Sequence, residues 1–155
     1  MSELASIIDD LKRVNDGDAW HGPSLREALA GIGAAQAAAK PIGNAHSIWE
    51  LVSHITGWEN VFRRRLEGDG NATEPEAGDF PAVVDATEQA WRESLAKLET
   101  EHEKLLSVVS RLSDQSLDEN VGDHDYSVRF FLNGVARHFV YHTGQIAILA
   151  KAAQR

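Results

Sequence analysis

Two histidines, His138 and His142, stand four residues apart in RHFVYHTGQIAIL, an apolar stretch that runs from Arg137 to Leu149. Residues at positions i and i+4 of a helix lie on the same face, so two imidazoles at this spacing can converge on one cation. Burying an imidazole costs free energy unless its nitrogens find partners. The pair therefore needs either hydrogen-bonding groups in a protein core or a metal ion, and the spacing alone leaves both interpretations open.

A third ligand would have to come from another helix, and His54 in LVSHITGWE is the best candidate. It lies midway along a second apolar-periodic segment, at the edge of the apolar stripe, where a side chain can reach a neighbouring helix. Gln145 lies on the flank of the face that carries the histidine pair and could hydrogen-bond to a ligand. Tyr141 is a second candidate for that role, although it projects about 100° from His142 and could simply pack.

The remaining polar residues give no further site. His102 lies on an apolar stripe and is expected to be a hydrogen-bonded core residue. Glu59 lies near the stripe that carries His54 but points well away from it, so no carboxylate is placed as a general base. Solvated or capping roles are expected for three histidines in loops or at a helix start: His21, His46 and His124. The chain has no cysteine, so the protein ligands of a metal here must be histidines or carboxylates.

Helical periodicity and capping residues predict the elements that carry these side chains. A first helix follows Ser2, and the last begins near Ser127 and ends at about Ala152. Two Ser/Glu pairs have the spacing of a capping box. The first opens a short helix over about residues 24 to 31. The second opens a long second helix, which starts after Ser47 and ends at Gly68 and Gly70. Pro81 suits the first turn of a helix, and the apolar stripe that follows it, from Val84 to Leu112, predicts a very long third helix.

No alternating β-branched run appears in the sequence, so the predicted class is all-α. Four long amphipathic helices favour a four-helix bundle, with the short extra helix in the connection between the first two. The length of 155 residues suits a single domain over residues 1–155.

The charge balance and hydropathy limit the partners. A net charge of -9 argues against nucleic acid, because phosphate binding requires clustered Lys and Arg. No apolar run approaches the roughly 20 residues that a membrane helix needs, and the N-terminus has no pattern of a secretory signal. We expect a cytoplasmic protein that binds neither nucleic acid nor membrane.

Three stretches in chain order, WHGPSL, HSIWELVSHITGWE and RHFVYHTGQIAIL, resemble the DinB-like superfamily, including its YfiT-type metal-dependent hydrolases and thiol transferases. The similarity covers nearly the whole chain. It implies a four-helix bundle, commonly homodimeric, with a divalent metal held by one histidine on the second long helix and two on the last. Carried over residue by residue, these ligands are His54, His138 and His142. Three imidazoles suit several divalent ions, and zinc or nickel is expected.

Three imidazoles on one ion leave a coordination position open, which is typical of a catalytic site. The sequence thus predicts an enzyme that activates water or a low-molecular-weight thiol cosubstrate, with hydrolase or S-transferase chemistry on a small molecule. One alternative is a non-catalytic, stress-related helical bundle that binds a metal or a small ligand. Another is a metal-free dimeric bundle with hydrogen-bonded core histidines.

Overall fold

The computed structural model describes residues 2–153, which form six α-helices and one short 3-10 helix. No strand occurs in this range, so the predicted all-α class is confirmed. None of these helices combines the length and apolar character that crossing a bilayer requires. The α-helices are α1 Glu3–Asp16, α2 Leu25–Leu29, α3 Ala34–Ala38, α4 Ile48–Leu66, α5 Glu88–Val109 and α6 Val128–Ala152, and the 3-10 helix is Gln115–Asp118, between α5 and α6.

The four long helices α1, α4, α5 and α6 lie around one hydrophobic core. Helix α1 contacts α6, α6 contacts α4, α4 contacts α5, and α5 closes the ring on α1. The short helices α2 and α3 lie in the connection between α1 and α4 and add apolar side chains to the same core. The contact between α4 and α6 brings the two histidine-bearing helices together.

Local hydrogen bonds define the helix ends that the sequence predicts. At Ser24 and at Ser47 both bonds of the capping box are present, with Glu27 and Glu50 as the acidic partners. Helix α4 ends in a Schellman motif, in which Gly68 has a φ of 85° that a side chain rarely adopts. The start of α2 and both ends of α4 follow from these local interactions.

The third long helix is shorter than its apolar stripe predicts. Thr87 caps α5 by accepting a hydrogen bond from the backbone of Ala90, so the helix begins at Glu88 and not near Pro81. Val84 precedes the helix and is fully exposed, so its predicted place on the buried stripe is wrong. The other end is Val109, short of the predicted Leu112.

Helix α3 is absent from the sequence prediction, which treats this region as linker. Five residues rarely sustain a helix on intrinsic propensity alone. A residue of another helix caps its first turn: the backbone N–H of Ala34 donates to the carboxylate of Glu88, at the start of α5, at 2.8 Å. Trp91 also donates its indole N–H to the Ile32 carbonyl oxygen at 2.7 Å. Contacts from α5 therefore stabilise a helix that local sequence does not specify.

Candidate metal centre

His54 on α4 and the pair His138 and His142 on α6 meet at the interface of these helices. The Nε2 atom of His54 lies 3.1 Å from Nε2 of His138 and 3.0 Å from Nε2 of His142. One ligand atom from each of the three residues lies within 4.8 Å of the others, so the group could hold a metal ion. His54 and His142 are buried and His138 is half-buried. The structure thus brings together all three histidines that the sequence singles out.

Asp79, in the loop between α4 and α5, orients the His54 ring. Nδ1 of His54 lies 2.8 Å from the main-chain oxygen of Asp79 and 3.0 Å from its carboxylate Oδ1. The indole N–H of Trp58 donates to the same Oδ1 at 2.7 Å and fixes the carboxylate. A metal-binding histidine commonly donates its other N–H to an oxygen of this kind, which fixes the ring and raises its basicity.

The loop reaches His54 because it crosses α4 closely at Gly57. A Cβ atom added to Gly57 would lie 2.8 Å from Cβ of Pro75, far inside van der Waals contact. Pro75 is a rigid ring and cannot move aside without shifting the loop backbone. The glycine therefore permits the close crossing that brings Asp79 to the histidine cluster.

Gln145 holds the ring of His142 in the way that its place on the helix flank suggests. Its Oε1 atom lies 2.6 Å from Nδ1 of His142, three residues earlier on α6. Tyr141 is largely exposed, and its ring packs edge-on against His142 with centroids 4.9 Å apart. Its hydroxyl makes no hydrogen bond within residues 2–153, so of the two candidates only Gln145 makes a polar contact with the cluster.

The positions of the protons test whether a cation fits between the rings. Nδ1 of His54 and Nδ1 of His142 both face oxygen acceptors, so each carries the hydrogen of its neutral ring. Their Nε2 atoms then present lone pairs to each other at 3.0 Å, where no hydrogen bond can form between them. A tetrahedral ion with Zn–N bonds of about 2.0–2.1 Å would hold such atoms roughly 3.3 Å apart. The donor set fits a divalent metal.

The rings of His138 and His142 are in the neutral form that metal binding requires. Burial lowers the pKa of His138 to about 3, and repulsion from charge on His142 and then His54 adds to the shift, while Asp79 opposes it. Burial is also the main cause that lowers the pKa of His142, against the hydrogen bond to Gln145. At neutral pH these two rings keep their lone pairs.

Aromatic side chains surround the cluster. The ring of Phe80 stacks on His54 with centroids 4.1 Å apart and on His46 at 3.7 Å. Phe62 packs edge-on against His138 at 5.5 Å, and Trp58 covers a further side of His54 at 6.3 Å. These apolar walls limit the access of water and strengthen electrostatic interactions inside the site.

The buried pair of Glu59 and His102 lies outside this cluster. Oε1 of Glu59 lies 2.7 Å from Nδ1 of His102, and both side chains are almost fully buried. The prediction that His102 is a hydrogen-bonded core residue is confirmed. Glu59 contacts His102 and is not among the polar partners of His54, in agreement with the sequence-based expectation.

Sequence reasoning does not identify Asp79 or Phe80 as parts of the site. Both lie in an acidic, glycine-containing loop with no periodicity, and only the crossing at Gly57 brings them to His54. The DFP sequence of residues 79–81 gives one weak signal, because an aromatic residue next to a carboxylate in a polar loop is out of place in solvent.

Comparison with known proteins places these features in a family. A family model described as the DinB superfamily matches residues 19–146, which include α2 to α5, most of α6 and all three histidines. No curated protein and no solved structure matches the chain significantly.

Proposed function

Because the chain belongs to the DinB superfamily, we propose that it is a metal-dependent enzyme whose divalent ion is held by His54, His138 and His142. The observation that carries the proposal is the convergence of three Nε2 atoms, two of which face each other with lone pairs at 3.0 Å. The Nδ1 atoms of His54 and His142 are already bonded to Asp79 and Gln145, so these two rings are oriented before an ion arrives. We expect zinc or nickel, which three imidazoles suit.

The substrate we propose is a small electrophile that reacts with water or with a low-molecular-weight thiol. The ion, when bound, supplies Lewis acidity, which makes water or a thiol nucleophilic at neutral pH. The chain has no cysteine, so a sulfur nucleophile has to arrive as a cosubstrate.

The protein's own residues supply orientation and an apolar wall. Asp79 and Gln145 hold the rings of His54 and His142 in place, which fixes where the lone pairs point. Phe80 and Trp58 cover His54 and restrict the entry of bulk water. The carboxylate of Asp79 is fixed by two donors, Trp58 and His54, so it acts as a positioning group for the ligand and not as a free base.

Elemental analysis of untagged protein tests the metal site. The wild type should hold close to one divalent ion per chain, and the His138→Ala and His142→Ala variants should hold none. His21→Ala is the matched control, because His21 is an exposed histidine of the connection between α1 and α2 and should leave the metal content unchanged. If the wild type holds no metal, even after incubation with zinc or nickel, these histidines have a purely structural role.

A thiol-consumption assay tests the chemistry. The metal-loaded protein is incubated with a panel of low-molecular-weight thiols and a chloronitrobenzene, and with nitrophenyl esters for hydrolysis. Turnover should disappear on chelation and return with the added ion.

One feature favours a second, non-catalytic function. The three histidines join α4 to α6, so an ion here would crosslink two core helices and stabilise the fold. In that case chelation lowers the melting temperature while no thiol or ester is consumed by the loaded protein. Bound metal with turnover supports the enzyme, and bound metal with stabilisation alone supports the structural function.

A further inference from the structure

A polar cleft lies between α4, α5 and the loop that joins these two helices. It consists of two adjoining cavities of about 600 Å³ and about 320 Å³, sizes that are typical of small-molecule sites. Each helix contributes side chains three and four residues apart, so one face of each helix lines the cleft. The loop forms the third wall with residues between Pro75 and Asp85.

The two cavities meet at three polar residues, Ser53 of α4 and Ser94 and Lys97 of α5, which line both of them. The hydroxyl of Ser94 is already used, because it donates to the Ala90 carbonyl oxygen and accepts from the indole N–H of Trp49, each at 3.0 Å. The hydroxyl of Ser53 has no partner within residues 2–153. A free hydroxyl and the ammonium of Lys97 therefore face the junction together.

Lys97 forms no ion pair with a described residue, although carboxylates stand at a suitable spacing on both sides of it. Glu93 and Glu101 are each four residues away along α5, where opposite charges on a helix commonly pair. Glu93 instead accepts from the amide of Gln89 at 3.0 Å, and Glu101 accepts from Lys104 at 2.8 Å. The ammonium of Lys97 thus lines the cleft and is free to hold an anionic group.

A free carboxylate lines the cleft from the opposite wall. Glu76, in the loop, is exposed and forms neither an ion pair nor a side-chain hydrogen bond within the part of the chain that the structure describes. It lines the larger cavity together with Lys97, yet the two do not pair with each other. Opposite charges that face a common cavity without meeting leave room for a ligand that carries both.

Apolar side chains lie beside these charges. Val52 of α4 lines the larger cavity together with Pro75, Ala77 and Pro81 of the loop. The close crossing of Pro75 over Gly57 holds this wall against α4. An apolar group of a ligand would be removed from water here, which favours its binding.

We propose that this cleft binds a small zwitterion, namely a free α-amino acid or a dipeptide with an apolar side chain. The carboxylate of the ligand accepts from the ammonium of Lys97 and the hydroxyl of Ser53. Its α-ammonium donates to the carboxylate of Glu76. Its side chain packs against the apolar wall at Pro75 and Pro81.

The charge of the cleft disfavours ligands with a single charge. The charged residues that line it are Glu76, Asp85, Glu93 and Glu101, with Lys97 as the cation. This excess of carboxylates repels a ligand that carries only an anionic group. A ligand that carries only a cationic group leaves Lys97 unpaired. A molecule with both charges satisfies Lys97 and Glu76 together.

The cleft and the histidine cluster lie on two sides of the same loop. Residues 75–78 line the cleft, whereas Asp79, the next residue along the chain, contacts His54. A ligand in the cleft therefore lies against the segment that orients His54. Binding in the cleft requires no metal ion.

Calorimetric titration of the full-length chain with L-leucine and with L-leucyl-L-leucine tests the site and distinguishes an amino acid from a dipeptide. At least one of the two should bind with a dissociation constant below about 10 mM. The same compound blocked at its carboxylate as an amide, or at its ammonium by acetylation, should bind roughly 10- to 100-fold more weakly, because a hydrogen bond between charged groups is lost. Absence of binding by both unblocked compounds, or equal binding of blocked and unblocked forms, would overturn the proposal.

Two variants assign the contacts. Lys97→Ala and Glu76→Gln should each weaken binding roughly 10- to 100-fold. Lys97→Ala should not weaken binding of the amide any further, because the group that the lysine holds is already missing. The matched controls are Lys12→Ala and Glu74→Gln, which change exposed residues outside the cleft and should bind as the wild type does.

His138→Ala separates the cleft from the histidine cluster, since an amino acid can also chelate a metal ion. This variant should bind the zwitterion as the wild type does. Binding that is lost in His138→Ala but kept in Lys97→Ala and Glu76→Gln would assign the ligand to the histidine cluster and refute a site in the cleft. The blocked compounds test the same contacts on the wild-type chain, so their result stands even if a variant fails to fold.

Discussion

The buried pair of Glu59 and His102 makes stability depend on pH with a sign opposite to that of a paired surface carboxylate. Oε1 of Glu59 is bonded to His102, but its Oε2 atom is buried without a partner among the described residues. A carboxylate with one unpaired oxygen in the core is costly to ionise. Burial therefore raises the pKa of Glu59 from 4.5 to about 7, against the hydrogen bond and charge of His102.

The replacement Glu59→Gln isolates this effect, because glutamine keeps the shape of the protonated acid and cannot ionise. The folded protein holds the proton of Glu59 up to a higher pH than the unfolded chain does. The contribution of Glu59 to stability is therefore greatest below pH 4.5 and decreases as the pH rises from 4.5 to about 7. At about 1.4 kcal/mol per pKa unit, the loss in the wild type amounts to about 3 kcal/mol, and the variant avoids it.

Urea unfolding at a series of pH values measures the effect. Glu59→Gln should match the wild type near pH 4 and exceed it by about 3 kcal/mol at pH 8. For a chain of this size that gain corresponds to a rise in melting temperature of roughly 6–12 °C. The difference between the two free energies of unfolding should grow mainly between pH 5 and pH 7.

Glu101 provides the control, because it is also buried but its pKa moves the other way. Burial pushes the pKa of Glu101 up, yet hydrogen bonds from Lys104 and Asn60 outweigh it and the pKa is lowered. Glu101→Gln should lose stability at pH 8. If Glu59→Gln also loses several kcal/mol at pH 8, then Glu59 is ionised and paired with an imidazolium, and the reasoning from its unpaired oxygen is refuted.

Three further replacements address the support of the histidine cluster. Asp79→Asn should weaken zinc binding about 10- to 100-fold, because it removes the carboxylate charge that faces Nδ1 of His54. Gln145→Ala should weaken it by a similar factor, since Nδ1 of His142 loses its acceptor. Gly57→Ala should lower the free energy of unfolding by about 1–3 kcal/mol and also weaken zinc binding, because the added methyl pushes the loop off α4. Competition against a chromophoric chelator measures the affinities, and urea unfolding measures the stability.

Tyr141→Phe is the control for the zinc affinities. The ring that contacts His142 remains, and the lost hydroxyl has no partner within residues 2–153, so the affinity should not change. Unchanged affinity in Asp79→Asn would mean that the main-chain oxygen at 2.8 Å suffices to orient His54. A Gly57→Ala variant with wild-type stability would show that the loop adjusts freely above α4.

The sequence alone determined the features that depend on neighbours within a few residues. The capping boxes at Ser24 and Ser47 and the spacing of His138 and His142 all involve residues three or four apart. Such interactions form within a turn of helix and can be recognised without any tertiary contact. His54 was also found as the third histidine, because its place beside an apolar stripe and the resemblance to a family pointed to the same residue.

Only the tertiary structure decided the remainder. His54 contacts Asp79, which lies 25 residues later in the sequence, and His138, which lies 84 residues later. The first contact depends on how closely a loop without periodicity crosses α4 at Gly57. The start of α5 was mispredicted because the apolar pattern continues through Val84, which the folded chain leaves in solvent. A residue pattern records which side chains share a face, whereas the packing of whole elements decides which faces meet.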